Sequence, residues 1–364
     1  MLKQIYRILI LIGVFIVSLY YFSKDIKEVV FDFDNTTIME ETTFPLITLR
    51  TEGVIVNRLH GYSSNLNANT VREALTPIGA DGTFEVIIDE KAYEIKKLNF
   101  EVREFVGNEL IEKGSVSVFD EENNLKTAKI RIGSELENDK EYAVKITLIT
   151  SESRKIYFYN RIKKYDGANL AQKVNFVMEF HEAIKDKSKA EEYAIYLEPD
   201  RKKDNTTLAN VNIHSGFDLI TWGNLNPEFI TEVIPTVVEN YSDIASFVLE
   251  YVVKSEVSGV PEFYKVKEYY RIRYTPSRMY LLNYERRMEA FFDIKLASTS
   301  VSQLKLGITS DTDIPYMVSD DKKKVAFVRN RELWFYNLEN NKIVRVFSFR
   351  QEDTDYISDI YDQH

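Results

Sequence analysis

The chain contains no cysteine. That excludes disulfides, thiolate-ligated zinc, iron–sulfur clusters, thiol nucleophiles and a lipidated cysteine anchor together. Exported animal-type domains commonly carry disulfides, so their absence fits a bacterial surface protein better. Glycine (13) and proline (8) are scarce among 364 residues, which argues against a fibrous or low-complexity chain. There is no glycine-rich phosphate loop and no Gly-x-Ser-x-Gly elbow. The four histidines, His60, His181, His214 and His364, form no His-x-x-x-His pair. Positive charge is also short: 47 Lys and Arg stand against 57 Asp and Glu, for a net charge of −10. Setting aside Lys3 and Arg7 leaves −12 on the remainder. A surface of that sign repels phosphate backbones, so nucleic acid is not an expected partner.

What the chain does have is apolar and aromatic residues. Apolar residues make up 44% and charged ones 29%, a globular balance, and Tyr (23) and Phe (22) are abundant. Aromatic and β-branched side chains suit pleated, half-buried surfaces, which tilts the expectation towards β-sheet.

The first segment has its own pattern. Lys3 and Arg7 precede an uncharged run from Ile8 to Phe22, with Tyr20 and Tyr21 where an interfacial belt would lie. As a helix, fifteen residues span ~22 Å, short of a ~30 Å hydrocarbon core. Ile5 and Tyr6 lengthen the run, and Arg7 can snorkel. Downstream, Lys24 and Lys27 are balanced by Asp25 and Glu28, so the positive bias lies on the N-terminal side. The expectation is an uncleaved signal anchor at 1–28, contacting lipid through residues 5–22. It is single-pass in the cell membrane, with the N-terminus cytoplasmic and the body extracytoplasmic. A cleaved signal peptide needs small residues after the apolar core, and Leu19-Tyr20-Tyr21-Phe22-Ser23-Lys24 offers few.

Beyond it, 29–43 reads as a polar stalk. Residues 44–165 read as a β-sandwich domain. Its expected strands are Phe44–Arg50, Gly53–Leu59, Phe84–Ile88, Ile95–Val102, Ser115–Phe119, Thr127–Ile132, Tyr142–Thr150 and Ile156–Ile162. Turn formers at Thr51-Glu52, Asp89-Glu90, Asn123-Asn124 and Asn138-Asp139 separate some of them. One helical turn is expected near Thr70–Leu75. A helical linker is expected over 166–207, its main helix at 167–186, since Leu170, Val174, Val177, Met178, His181 and Ile184 recur at helical spacing. His181-Glu182 reads as a surface or interface pair on that helix. Residues 208–310 read as a second antiparallel β domain. There Tyr264, Val266, Tyr270, Ile272 and Tyr274 share one side, and Lys265, Lys267, Arg271 and Arg273 the other. The cationic side reads as solvated, or as a place for an anionic polymer such as teichoic acid.

Three resemblances add to this. Leu136-Glu-Asn-Asp-Lys-Glu-Tyr142 resembles the tyrosine corner of fibronectin type III domains, with Asn138 in the usual proline's place. That resemblance implies that the Tyr142 hydroxyl ties the corner to nearby backbone. The stretch from Ser319 to Ile343, with Asp320-Asp321, Val325-Ala-Phe-Val328 and Leu333-Trp334, resembles one repeat of a TolB-type, WD-like β-propeller. It implies the start of a propeller over 311–364, expected to be incomplete because one blade cannot bury both its faces. The order of anchor, small β domains and propeller repeat is similar to clostridial membrane-anchored surface proteins.

Val29-Val-Phe-Asp32-Phe-Asp34-Asn-Thr36 resembles the first motif of haloacid-dehalogenase-type phosphatases, which implies an attacking Asp32 and an acid/base Asp34 near Mg²⁺. That motif needs a parallel α/β sheet, and the β-rich sequence after it offers none. Asp311, Asp313, Asp320 and Asp321 could hold Ca²⁺, but such turns are ordinary in propeller repeats. Sequons stand at Asn35, Asn205 and Asn240. No residue is assigned a catalytic, cofactor-binding or metal role, and no cofactor is expected.

The expected fold is mainly β: a transmembrane helix, two β-sandwich-like domains with a short helical connection, then the start of a β-propeller. The expected function is a non-enzymatic, membrane-anchored binding or scaffold protein, whose partner is an envelope polymer or another surface protein. The alternative is the N-terminal portion of a larger, propeller-containing surface hydrolase, similar to dipeptidyl-peptidase-type enzymes.

Overall fold

The computed structural model describes residues 2–23, 30–32, 37–38, 44–165, 167, 169–200, 202, 207–257, 259–292, 299–300, 303–304, 306–310 and 313–348. The chain divides into two compact units. One comprises Met1–Glu40, Phe292–Leu306 and Asp311–Gln351; the other comprises Glu41–Phe291, Gly307–Ser310 and Glu352–His364. The fold is mainly β, in several sheets.

The chain opens with α1 (Leu2–Ser23). Its described side chains are those of residues 6, 7 and 10–18, and Ile10, Leu11, Ile12, Val14, Phe15, Ile16 and Val17 are exposed. Among the described residues, no helix is long and apolar enough to cross a membrane. Two short strands follow, β1 (Val30–Asp32) and β2 (Thr37–Ile38), within the stretch expected to be a polar stalk.

The larger unit starts with ten strands: β3 (Leu46–Thr51), β4 (Val54–Leu59), β5 (Leu75–Ile78), β6 (Thr83–Asp89), β7 (Ile95–Glu104), β8 (Leu110–Val116), β9 (Asp120–Glu122), β10 (Leu125–Arg131), β11 (Glu141–Thr150) and β12 (Lys155–Lys164). They form two five-stranded sheets, ordered β4-β3-β6-β10-β9 and β5-β12-β11-β7-β8. Alternate residues of each sheet meet in one core. Ile47, Leu49, Val86, Ile88 and Ile130 come from the first sheet, and Leu98, Val102, Val144, Ile146 and Phe158 from the second. This is the expected sandwich.

Its tight turns follow residue chemistry. Glu52-Gly53 and Asn123-Asn124 both take two successive positive φ values, the geometry that two-residue hairpins favour. The Tyr142 hydroxyl accepts the Glu137 N–H at 3.0 Å, closing the corner over buried Leu136. Two expectations are corrected. The helical turn at Thr70–Leu75 is instead a 3-10 turn at Ala68–Thr70 followed by strand β5. Pro77 is accommodated there because β5 is an edge strand with a single partner, β12. The strand expected at Ser115–Phe119 lies earlier, as β8, and chain order resumes with the acidic β9.

The unit continues through α2 (Leu170–Ala183), α3 (Lys187–Ala190), β13 (Asn210–Asn212), α4 (Phe217–Ile220), β14 (Glu228–Phe229), β15 (Thr236–Asn240), β16 (Ile244–Val257), β17 (Val260–Thr275) and β18 (Arg278–Ala290). The strands make one six-stranded sheet, β13-β18-β17-β16-β14, with β15 also paired to β16. The second sandwich expected here is therefore a single sheet. The side of it that carries Phe247, Tyr251, Val266, Tyr270 and Ile272 is covered by Leu170, Val174, Val177, Phe180 and Ile184 of the helical segment. α2 is thus a structural layer rather than a linker, because its apolar stripe needs a surface to bury against.

Buried polar groups tie elements of this unit together, Asn57 joining the sandwich to the helix-covered sheet and Lys173 joining α2 to that sheet. Asn57 on β4 is fully buried in a left-handed conformation (φ 57°). Its amide donates to Leu75 O (2.9 Å) and Thr76 Oγ1 (2.8 Å), and its oxygen accepts the Val237 N–H (2.7 Å). Lys173 on α2 donates to Asn240 Oδ1, Tyr241 O and Ser242 O, at 3.0, 2.6 and 3.2 Å. Burial pulls its pKa down to about 8, against the opposing pull of Asp243 and Glu52. Asn240, one of the three sequons, is thereby fully buried and bonded, so it does not offer a glycan acceptor.

The smaller unit resumes with β19 (Thr299–Ser300), β20 (Gln303–Leu304), β21 (Tyr316–Val318), β22 (Lys324–Arg329), β23 (Glu332–Asn337) and β24 (Lys342–Ser348). The last four form an antiparallel meander, and β1 and β2 add to β24 in parallel. The "stalk" is thus partly edge strand: Val30–Asp32 pairs with residues more than 300 positions later, a contact that no local signal announces. Among the described residues there is no closed propeller.

Asn57→Ala removes three side-chain hydrogen bonds and leaves a β-carbon residue in a left-handed conformation. Its cost is expected to be ~2–4 kcal/mol, read as a lowered urea midpoint. Asn57→Gly relieves only the backbone and should recover a minor part.

Candidate functional site

The outer side of sheet β4-β3-β6-β10-β9 carries an open groove of about 390 Å³. Strand alternation builds it: the residues in phase with Ile47 and Leu49 face the core, and those between them face out. Leu46, Ile55, Ile87, Leu125 and Ile234 give an aliphatic floor, and Thr48 and Thr127 place two hydroxyls among them. Arg50, Arg58, Lys91, Asp89, Glu122 and Glu232 line it with charge of both signs.

The rim is paired but loosely. Arg50 meets Glu85 at 2.9 Å, Lys91 meets Asp89 at 2.6 Å, and Arg58 lies 3.8 Å from Glu232. Partly exposed pairs of this kind contribute only ~0–1 kcal/mol each, so a charged ligand can exchange into them at little cost. The groove can bury apolar side chains of a ligand and match its charges.

A second cluster lies in the helix-covered sheet, and it is sealed. Glu268 on β17, His181 on α2, Tyr251, Tyr270, Tyr284 and Arg286 are all fully buried. Glu268 Oε2 lies 2.8 Å from His181 Nδ1 and accepts the Tyr270 hydroxyl at 2.8 Å. Oε1 accepts from Tyr251 at 2.9 Å and Tyr284 at 3.1 Å. Arg286 donates to Ile220 O and Leu219 O at the end of α4 and lies 3.7 Å over the Trp222 ring. Burial pushes the Glu268 pKa up, but the His181 and Arg286 charges and the donated hydrogen bonds more than offset this, leaving it below the ordinary carboxylate value. Burial, then the Glu268 charge, drive the three tyrosines well above the usual phenol range. With every acceptor site of Glu268 occupied by protein, the cluster holds α2 to the sheet.

Of the pair expected at a surface or an interface, His181 is buried between α2 and the sheet, and Glu182 beside it faces solvent, paired with Lys185. Sequence reasoning passed over Glu268 although a signal was present. It stands in phase with Tyr264, Val266 and Tyr270, so the buried run Tyr264–Ile272 on that side of β17 carries one carboxylate. A charged residue in an inward register needs a partner.

The other residues singled out by sequence do not converge. The Lys265–Arg273 side is partly solvated, with Lys267 on Glu250 at 2.7 Å and Arg271 on Glu239 at 3.0 Å. Asp32 lies in β1, while Asp34, Asn35, Asn205, Asp311, His364 and the acidic tail lie outside the described residues. Asp321 accepts the Ser319 hydroxyl and the Lys323 N–H, which together lower its pKa. His60 packs edge-on against Tyr62, and His214 Nδ1 is 2.9 Å from Glu198 O. Among the described residues, no group of three or more His, Cys, Asp or Glu side chains could hold a metal ion.

Glu268→Ala leaves Arg286 buried without its counter-charge and His181 and three tyrosine hydroxyls without their shared hydrogen-bond partner, and should destabilise by ~3–5 kcal/mol in urea unfolding. Because the folded pKa lies below 4.5, this stabilisation is complete above that value and is lost as the pH falls through the lower folded one. Urea midpoints taken from pH 7 down to pH ~3 should fall steeply in the wild type and more gently in Glu268→Gln.

No protein-family model matches the chain, and no curated protein matches it either.

Proposed function

We propose that this chain is a membrane-tethered, extracytoplasmic binding protein whose β body holds an extended segment of another surface protein. The groove on the sandwich carries this reading. An aliphatic floor with two hydroxyls and a weakly paired rim of both signs suits a polypeptide, which brings apolar side chains, backbone polar groups and mixed charge. An anionic envelope polymer fits less well, since the acidic body repels it. The tether is supported by the uncharged run Ile8–Phe22 and by the positive bias ahead of it.

Two measurements test this. The absence of cysteine makes single-cysteine labelling clean. A Val118→Cys variant, at a site 84% exposed, should react with a membrane-impermeant maleimide in intact cells, and removal of residues 2–23 should move the protein out of the membrane fraction. Labelling only after lysis would overturn the topology. Ile55→Arg, placed in the groove floor, should reduce capture of envelope proteins at least ~10-fold while leaving the unfolding midpoint nearly unchanged. Equal capture by wild type and variant would remove the groove from the reading.

A second reading is favoured by one feature of the smaller unit. Opposite residues in the meander put Phe327, Trp334, Tyr336 and Ile343 on one side, packed with Phe292, Leu304 and Leu306. Ala326, Val328, Leu333, Phe335 and Val344 form the other side. Strands apolar on both sides are the pattern of a sheet meant to be covered twice, as between neighbouring propeller blades. That reading makes the chain part of a larger propeller-containing surface enzyme. An immunoblot of the native protein running well above 42.5 kDa would support it.

A further inference from the structure

We propose that the chain pairs with a second copy of itself through the free edge of β21. This inference does not rest on the tether or on the groove.

β21 is the last strand of its sheet, bonded on one side to β22, and among the described residues no strand pairs with its other side. Val328 donates to Pro315 O at 3.0 Å and Ser319 donates to Lys324 O at 3.0 Å. Antiparallel pairs alternate between bonded and non-bonded positions, so residues 315, 317 and 319 turn their polar groups towards β22. The N–H and C=O of Tyr316 and Val318 are left pointing to the open edge. The side chains on this edge are also uncovered: Tyr316 is 69% exposed, Met317 78% and Val318 47%.

Other sheet edges are guarded. β9 is Asp120-Glu121-Glu122, all exposed, and would set acid against acid on pairing with itself. β8 presents Glu112 and Lys113, and β13 is Asn-Val-Asn. Charge and polarity of this kind are how proteins block edge pairing, and β21 has neither.

The pattern on β21 is complementary to itself. With Met317 on a two-fold axis, Tyr316 of one copy opposes Val318 of the other, twice. Two donors and two acceptors on each edge are then all used, in four backbone hydrogen bonds. Each Tyr316 ring lies across from a β-branched Val318, a favoured cross-strand pair. Met317 opposes its own copy as a non-bonded pair, with Cα atoms ~4.5 Å apart. A two-fold contact of this sort closes at two chains and does not propagate.

That spacing lies within disulfide reach, and the chain has no native cysteine to compete. The full chain carrying Met317→Cys, purified in detergent and mildly oxidised, should form a disulfide-linked dimer. Val328→Cys, exposed on the same sheet but away from the edge, should stay monomeric under the same conditions. Val318→Pro added to Met317→Cys removes one outward N–H and no bond within the sheet. It should cut the dimer yield at least tenfold, with an unchanged circular dichroism spectrum. Dimer from Met317→Cys no greater than from Val328→Cys would overturn the proposal and leave the edge to a strand of a different protein. A yield that Val318→Pro does not change would overturn it too.

Discussion

A carboxylate in the apolar register of β17 constrains the helix-covered sheet. Once Glu268 is buried, its charge must be met from several directions, and no single strand can supply the partners. Three tyrosines come from three adjacent strands, the histidine from the helix above them, and Arg286 supplies positive charge nearby. A purely apolar interface would tolerate sliding of α2 along the sheet; a carboxylate with four fixed donors does not. The same requirement recurs at Lys173, whose amine reaches an amide oxygen and two backbone carbonyls beyond the end of β15. Lys173 and His181 both lie on the stripe of α2 that also carries its apolar anchors, so the helix is keyed at two points.

Much of the β architecture was legible because its signals are local. Alternation in Tyr142–Thr150 and Tyr264–Ile272 placed both strands and their inward sides, and Asn123-Asn124 marked a turn. What was not legible depends on distant partners. β5 contains a proline and is short, and it is a strand only because β12 runs parallel beside it. Val30–Asp32 looked like the start of a phosphatase motif or a stalk, and only residues 342–344 make it a strand. The helix was read correctly as a helix but wrongly as a connector, since its stripe says that something is covered and not what. The groove was invisible in the sequence: Leu46, Ile87 and Ile234 look like ordinary apolar residues until one sheet and a loop bring them together.

Surface character differs along the molecule in a way that bears on partners. The sandwich carries charge on edge strands β8 and β9 and a groove with an aliphatic floor ringed by weak ion pairs. The meander of the smaller unit does the reverse, with an apolar edge and two apolar sides. A chain with a net charge of −10 gains solubility from long-range repulsion between copies, yet that field is screened beyond ~8–10 Å in physiological salt. Short-range apolar contact at an edge therefore operates where the repulsion has faded.

Asn57 also sets a clock on biosynthesis. Its side chain bridges β4 and β5 to Val237, which lies 180 residues further along the chain. At a translation speed of ~5–20 residues per second, β4 waits on the order of 10–40 s for that partner to be made. During that interval the buried amide has no β15 to bond, and until β11 and β12 are made the inward sides of the early strands have no complete core. The nascent chain thus spends tens of seconds in a state that presents unpaired strand edges. A holding factor at the ribosome would find its client there, in the first half of the chain, rather than in the finished fold.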